Sequence, residues 1–297
     1  MKLVPERFEQ VRYERPAEGV ARIVLARVAK RNAQGNRMTY ELNAAFDTAA
    51  HDESVRAIIL AADGPHFSAG HDFSETFEEN FERVGTWGES PADGADALFG
   101  DEMEVFFEMC ERWRNHAKPT IALVQGKCIA GGLMLAWVCD LIIAADDASF
   151  KDPTIDMGIM GVETFVHPFE LGVRKAKEFL FTAEWLAAKD ALALGMVNRV
   201  VPADRLETEG LDLAQLIAAK PAFAVRAAKL AVNQAQDAMG RWQSMKHGFA
   251  LHHLTHANNR LKYGTQIDPG YAAGGAGERI SGLEQKIRDF GPDRGAG

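Results

Sequence analysis

Apolar residues recur in short, nearly continuous runs along the first half of the chain, and these runs predict buried β-strands. The runs are Val20–Ala26, Arg56–Ala61, Thr120–Val124 and Leu141–Ala145. Between them, apolar positions follow a helical spacing after Thr39, over Met103–His116 and over Gly131–Cys139. This alternation of strand and helix predicts an α/β architecture in which the strands pair in parallel.

The second half of the chain is predicted to be mostly helical. Helical spacing covers Arg174–Phe181, Ala187–Leu194, Arg205–Ala219, Ala222–Ala238 and Gln243–Leu261. Met196–Val201 is typical of a short strand. The acidic, glycine-punctuated segment Phe73–Gly100 is predicted to be a partly helical, mobile excursion. We therefore expect an α/β unit over residues 1–200 and a helical region with a flexible, glycine-rich tail over residues 201–297.

The composition is that of a globular protein. Of the 297 residues, 47% are apolar and 25% are charged, which excludes a fibrous or disordered chain. The net charge of −9 argues against a nucleic-acid partner, because such a protein neutralises phosphates with a basic face. No apolar stretch is long enough to span a membrane, and there is no apolar signal core. Three cysteines without a CxxC pair indicate reduced thiols, so we expect a cytoplasmic protein.

Two glycine-rich segments follow predicted strands and lead towards helices. The first glycine turn is Ser68–Asp72 (SAGHD), and the second glycine turn is residues 126–132 (GKCIAGG). Glycine lets the backbone turn sharply and brings peptide N–H groups close to a ligand. Two such turns side by side can aim two N–H groups at one carbonyl oxygen, which is the geometry of an oxyanion hole. The alternative is two ordinary strand–helix turns, which are common in α/β folds.

Three segments resemble the crotonase (enoyl-CoA hydratase/isomerase) superfamily. They are FSAGHD, then PTIALVQGKCIAGGLMLAWVCDLIIAADDASF some sixty residues later, and finally LFTAEWLAAKDALALGMVNRVVP. The resemblance covers roughly Val20 to Ala238, with the segments in the order and spacing of the family. It implies a spiral of ββα units, an acyl-CoA thioester substrate and a C-terminal helical trimerisation region. That region would bury apolar faces that include Phe223, Val225, Phe249 and Leu254 in a homotrimer or a dimer of trimers.

Carried over residue by residue, the oxyanion hole of the family falls on the backbone N–H groups of His71 and Gly131. Ala69 and Gly70, which precede His71, would line the same substrate site. Two such donors would stabilise a thioester enolate by about 3–4 kcal/mol each. Coenzyme A would be part of the substrate, so the resemblance implies no separate cofactor. The His71 side chain is expected to form a wall of the pocket, with the role of general base as the alternative.

The chain departs from the family at the two glutamates that hold a water in standard hydratases. The corresponding positions are Met134 and Thr154, which would line the substrate site without supplying a base. Neither a thioether nor a hydroxyl is a carboxylate base at neutral pH. Ordinary hydration is therefore doubtful. The remaining alternatives are isomerisation, carbon–carbon or thioester hydrolysis, and acyl-CoA binding without catalysis.

Glu163 is the first candidate for a replacement base, because it lies in the segment expected to line the same cavity. Asp152 and Asp156 are alternatives, and Asp156 is also expected to contact the substrate. Another interpretation of Glu163 is an acidic residue favoured by a helix N-terminus.

Two further groups of polar residues suggest binding sites. The basic residues Arg27, Lys30 and Arg31 lie where the family receives the phosphates of CoA, although they also fit a solvated loop. His252 and His256 in the HHxxH sequence have a spacing suited to a metal ion. Since the sequence shows no third ligand, we expect these histidines on a helix surface or a subunit interface, and we predict no metal site.

Overall fold

The structure is a computed structural model that describes residues 3–72, 81–85 and 94–272. Its main sheet has six strands in the order β1-β2-β3-β4-β6-β9, and a second sheet has the order β5-β7-β8. The strands are β1 (Val11–Ala17), β2 (Val20–Leu25), β3 (Ala57–Ala62), β4 (Thr120–Val124), β5 (Lys127–Ile129), β6 (Leu141–Ala145), β7 (Ser149–Lys151), β8 (Leu186–Ala187) and β9 (Arg199–Val201).

Helices connect these strands and form most of the second half of the chain. They are α1 (Asn36–His51), α2 (Gly94–Glu102), α3 (Met109–Arg114), α4 (Gly131–Trp137), α5 (His167–Leu171), α6 (Val173–Thr182), α7 (Ala188–Leu194), α8 (Leu206–Ala218), α9 (Ala222–Ala238), α10 (Arg241–Tyr263) and α11 (Pro269–Ala272). A π-helical stretch, Met103–Glu108, joins α2 to α3. Short 3₁₀ helices lie at Pro5–Arg7, Val28–Lys30, Thr154–Met157 and Ala203–Arg205.

The five predicted strands are confirmed, and they pair in parallel. Strands β2, β3, β4, β6 and β9 are all parallel neighbours, whereas β1 is antiparallel to β2. Both faces of this sheet are buried. On β3, Ile58 and Leu60 enter one apolar cluster, while Ala57 and Ile59 enter a second. Burial on both faces explains why the strands are nearly continuous apolar runs.

Four strands were not predicted from the sequence, namely the edge strand β1 and the short strands β5, β7 and β8 of the second sheet. β1 is an edge strand with alternating polar residues, and it includes Arg12 and Glu14. β5 lies inside the second glycine turn, where only a turn was expected, because Lys127–Ile129 pairs with the distant β7. The expected excursion over residues 73–100 lies mostly outside the described residues, although Gly94–Glu102 is helical. The flexible tail after Ala272 also lies outside them.

The helices after residue 200 fall into three kinds. α8 packs on the main sheet, since Leu206 and Ala214 belong to its second apolar cluster. That packing crosses the predicted domain boundary at residue 200. α9 has no buried residue. α10 contributes Met245 and Phe249 to the main core. Within the described residues, no helix combines the length and apolar character needed to cross a membrane.

Candidate active site

The two glycine turns meet because the strands before them are parallel neighbours. β3 leads into the first glycine turn, and β4 leads into the second. Since β3 and β4 pair in parallel, their carboxyl ends lie at the same edge of the sheet. Ser68 and Cys128 form an isolated parallel bridge between the turns, with the Ser68 N–H donating to Lys127 O at 3.2 Å and the Ile129 N–H donating to Ser68 O at 3.0 Å.

Close backbone contacts explain the glycines in both turns. Gly70 has a φ of +91°, and a Cβ atom there would lie 2.9 Å from Ile129 O and 3.4 Å from Gly131 N. At Gly132, a Cβ atom would lie 2.9 Å from Ser68 O. Contacts shorter than about 3 Å do not accommodate a side chain, so the turns approach this closely only with glycine at these positions.

The backbone N–H groups of His71 and Gly131 lie on these two turns. Neither donates to a backbone carbonyl outside regular secondary structure in the described part of the chain, and Gly131 is the first residue of α4. The first four N–H groups of a helix have no acceptor within the helix. The geometry therefore leaves both donors available to a ligand.

The His71 imidazole lies across the Gly131 backbone. A Cβ atom on Gly131 would lie 2.5 Å from His71 Cε1 and 2.7 Å from His71 Nδ1. The ring packs against Phe106 with 3.9 Å between centroids, and its Nε2 lies 3.0 Å from Glu163 Oε2. His71 Nδ1 is buried and has no hydrogen-bond partner within the described residues. The ring thus has a carboxylate partner on one nitrogen, and its expected role as a pocket wall stays a prediction.

The Glu163 carboxyl lies between two histidines. Its Oε2 contacts His71, and its Oε1 is 3.6 Å from His252 Nε2. Burial alone would raise the pKa of Glu163, but the neighbouring His71 and His252 outweigh burial and hold that pKa well below its usual range. Glu163 is therefore ionised at neutral pH. The sequence placed Glu163 in the site but gave no sign of its partner 92 residues away.

Asp152 has a different environment from the one expected of a catalytic base. Its two oxygens accept hydrogen bonds from the Thr154 N–H, the Thr154 hydroxyl, the Val162 N–H and His167 Nε2. Its side chain and that of His167 are both fully buried. Burial opposes the charge, but His167 and Thr154 lower the pKa of Asp152 below its ordinary value. Asp152 is thus a structural anion in this fold.

The other expected site residues are spread over several environments. Met134 is fully buried in the main core, and the Thr154 hydroxyl is committed to Asp152 at 2.6 Å. Asp156 is half-buried on the 3₁₀ helix Thr154–Met157. Ala69 is half-buried, and its N–H donates to Arg31 O at 3.0 Å.

The three basic residues do not form one cluster of exposed cations. Arg27 forms a largely buried ion pair with Asp72, with 2.6 Å between Nη1 and Oδ2. It also donates to Ala33 O at 3.0 Å. Lys30 and Arg31 are exposed. Arg27 therefore fixes the end of the first glycine turn, and the two other residues lie on the surface.

Comparison with known proteins decides the family. The profile of the enoyl-CoA hydratase/isomerase family matches residues 15–267. The chain belongs to this family. It is 42% identical to a putative enoyl-CoA hydratase of Mycobacterium tuberculosis over 277 residues, which cover 88% of this chain and 87% of the relative.

Two further relatives extend the comparison. The crystal structure of a probable enoyl-CoA hydratase from Mycobacterium smegmatis superposes with a TM-score of 0.80 at 43% identity, covering 87% of this chain and 99% of that one. It confirms the predicted crotonase-like α/β fold with a helical C-terminal region. A 4-chlorobenzoyl coenzyme A dehalogenase from Arthrobacter is 31% identical over 206 residues, which cover 69% of this chain and 71% of the relative.

Proposed function

We propose that this chain is an acyl-CoA enzyme in which the His71 and Gly131 N–H groups polarise the thioester carbonyl. Membership of the family supports the substrate class. Two observations support the donors. The two glycine turns lie in close contact. Outside regular secondary structure, neither N–H donates to a backbone carbonyl in the described part of the chain. Donors aimed at a developing oxyanion are worth about 3–4 kcal/mol each.

The observation that carries the proposal further is the unpartnered Nδ1 of His71. A carboxylate only accepts hydrogen bonds, so the neutral His71 ring carries its proton on Nε2, facing Glu163. Nδ1 then presents its lone pair beside Gly131. A proton next to a thioester carbonyl held at Gly131 would lie within reach of this nitrogen. His71 is thus the general base, and the enolate forms as its imidazole takes the proton.

Glu163 acts in this proposal as a positioning residue and not as the base. A carboxyl whose pKa is held well below its usual range is a weak base at neutral pH. Its position at 3.0 Å from Nε2 selects the tautomer of His71 and stabilises the imidazolium that forms. Glu163 thus keeps the place in the site that the sequence suggested, with a different proposed role from the expected one.

Met134 and Thr154 argue against efficient hydration of crotonyl-CoA as the activity. Met134 has no basic group, and the Thr154 hydroxyl donates to Asp152. We therefore expect proton abstraction next to the thioester to be retained while water activation by a carboxylate pair is absent. Isomerisation of an enoyl-CoA needs the proton abstraction but no activated water, since the same base can return the proton at another carbon.

The test separates these two steps. The unaltered chain should exchange the α-protons of butyryl-CoA with deuterium in D₂O, followed by NMR, and should hydrate crotonyl-CoA slowly or not at all. In Glu163→Gln, the amide keeps the shape but loses the charge, so exchange should fall by about 100- to 10,000-fold. Affinity for the CoA ester should stay nearly unchanged, and the pH profile of exchange should shift.

Glu178→Gln is the matched control, because Glu178 is exposed on α6 and pairs only with Lys175 at 2.8 Å within the described residues. It should exchange like the unaltered chain. Robust hydration of crotonyl-CoA would contradict our interpretation of Met134 and Thr154. Exchange that survives Glu163→Gln at its full rate would remove the His71–Glu163 pair from the mechanism.

A hydrolase is the second candidate, because a histidine base can also deprotonate a water. One relative, 31% identical to this chain, is named as a dehalogenase and not as a hydratase. A panel of acyl-CoA esters, assayed for free CoA and for release of the acyl group, distinguishes hydrolysis from isomerisation. Tight binding without turnover or α-proton exchange would instead favour a non-catalytic acyl-CoA-binding protein.

We also propose a homotrimer or a dimer of trimers in the cytoplasm, with CoA entering as part of the substrate. The exposed side chains of Phe223 and Leu254, 80% and 63% accessible, support such an interface. Phe249 was expected at the interface, but it is 1% exposed within the core of the protomer. Val225 is half-buried.

A further inference from the structure

Three histidines of α10 are buried in the protomer, although the sequence placed them on a helix surface or at a subunit interface. His252, His253 and His256 are 2%, 8% and 7% exposed. Glu102, at the end of α2, lies against them, with Oε2 at 3.5 Å from His252 Nε2 and 3.3 Å from His253 Nε2. We call these four residues the histidine cluster. It contains the third ligand that the sequence did not show.

The outer nitrogens of two of these histidines are fixed by backbone carbonyls. His252 Nδ1 donates to Gly161 O at 2.6 Å, and His256 Nδ1 donates to Gln266 O at 2.9 Å. Since a carbonyl only accepts, both Nδ1 atoms carry protons. A hydrogen bond of this kind, from the second ring nitrogen to a backbone carbonyl, is the usual support of a metal-binding histidine.

The inner nitrogens of the same rings face each other. His252 Nε2 and His256 Nε2 are 3.0 Å apart. With both protons on Nδ1, each neutral ring presents a lone pair, and two lone pairs do not form a hydrogen bond. A cation must therefore lie between or beside these nitrogens, either as a proton or as a metal ion.

Two further polar atoms point into the same space. Glu102 Oε2 and His253 Nε2 are buried and lack a hydrogen-bond partner in the described structure, although they are 3.3 Å apart. A proton serves one pair of atoms at a time. A metal ion accepts several lone pairs at once, and it would satisfy the two inner nitrogens and the carboxylate oxygen together.

We propose that Glu102, His252 and His256 form a binding site for a divalent first-row transition metal ion of the zinc class. One ligand atom from each residue lies within 4.8 Å of the others. In a tetrahedral zinc site with bonds of about 2.0–2.1 Å, neighbouring ligand atoms lie roughly 3.3 Å apart. The distances of 3.0 Å and 3.5 Å from His252 Nε2 fit that spacing. Two histidines and one carboxylate leave a fourth position for His253 or a water.

The site is adjacent to the carboxylate of the proposed reaction. Glu163 Oε1 lies 3.6 Å from His252 Nε2, on the opposite side of Glu163 from His71. The ion would also join α2 to α10, two elements that are far apart in the sequence. Binding to the folded state alone therefore stabilises the fold and raises its melting temperature.

The test uses the full chain without an affinity tag, stripped of metal with EDTA. Titration with Zn²⁺ in a calorimeter should give one ion per chain with submicromolar affinity, and the melting temperature should rise by several degrees. Co²⁺ should produce the strong visible absorption of a four- or five-coordinate ion. His256→Gln and Glu102→Gln should each weaken Zn²⁺ binding at least 10- to 100-fold, by analogy with losses on changing the ligand environment.

His247→Gln is the control, since His247 is exposed on the same helix. Its Zn²⁺ affinity should equal that of the unaltered chain. Absence of binding at 100-fold more Zn²⁺ than chain would show that the inner nitrogens share a proton and would overturn the proposal. Equal affinity in His256→Gln and Glu102→Gln would place the ion elsewhere and overturn it too. If both variants fail to fold, a weak six-coordinate Co²⁺ spectrum of the unaltered chain decides against the site.

Discussion

Two of the buried carboxylate–histidine pairs in the described part of the chain differ in what surrounds the histidine. Asp152 pairs with His167 at 2.9 Å, and Glu163 pairs with His71 at 3.0 Å. His167 has no exposed side-chain surface and packs against the rings of Trp137 and Phe165. The His71 side chain is 14% exposed and lies across the glycine turns. The same pair of groups is thus structural in one place and open to a ligand in the other.

The carboxylates of Asp152 and Glu163 also differ in their hydrogen-bond partners. Asp152 accepts four hydrogen bonds from the protein, two of them from Thr154. Glu163 is held mainly by the two imidazoles on either side of it. A saturated carboxylate stabilises the loop around it, whereas a carboxylate that faces histidines sets their charge and orientation. Burial and ionisation alone do not distinguish a catalytic group from a structural one.

The largest effect is expected at His71. His71→Ala keeps the backbone N–H but removes the proposed base, so α-proton exchange of butyryl-CoA should fall by about 100- to 10,000-fold. Affinity for the ester should change little. NMR exchange rates and a binding titration measure the two effects. Exchange at the normal rate in this variant, combined with its loss in Glu163→Gln, would return the role of base to Glu163 itself.

The next effect is on stability, at Asp152. Asp152→Asn removes the charge. In either orientation of the Asn amide, its NH₂ group would face N–H groups that now donate to Asp152. Breaking a buried pair of this kind costs about 3–5 kcal/mol, which urea unfolding measures. Asp156→Asn, on the half-buried neighbouring residue, should stay within about 0.5 kcal/mol. Equal stability of the two variants would make Asp152 dispensable to the fold.

The smallest effect is on the pH dependence of that stability. The pKa of Asp152 is lowered in the folded chain, because His167 and Thr154 outweigh the opposing effect of burial. As the pH falls, Asp152 therefore becomes protonated first in the unfolded chain, at about pH 4. The stabilisation is fully present above that range and is lost as the pH falls through the folded pKa. The stability difference between the unaltered chain and Asp152→Asn should be constant near neutral pH and narrow below about pH 4. A difference that stays constant down to acid unfolding would contradict the lowered pKa.

Much of the fold followed from local pattern. The buried strands of the main sheet are apolar on both faces, so their sequences identify them. The helix α9 matches its predicted bounds, Ala222–Ala238. The missed strand β1 pairs only at one edge and carries polar residues, and the missed β5 has three residues whose partner is more than twenty residues away. Pairing over such distances is not a local property of the sequence.

The candidate site followed less completely. The glycine turns were recognised, but the contact between His71 and Glu163 spans 92 residues. The same limit applies to the histidine cluster, where Glu102 lies about 150 residues before its partners. The histidines of α10 were expected on a helix surface or a subunit interface, whereas the helix buries them within the protomer. Spacing along one helix shows which side chains share a face, but it does not show what that face meets.

Ala130 gives the second glycine turn a property beyond its shape. It has φ 46° and ψ −111°, a conformation that costs an L-residue about 1–3 kcal/mol. The Ala130 N–H donates to Lys151 O at 2.9 Å, and Ala130 O accepts from Leu133 at 2.8 Å. These bonds hold the strained peptide that precedes the Gly131 N–H. The reorganisation that orients this N–H is completed when the chain folds, so in the proposed mechanism the ligand would meet a preorganised dipole.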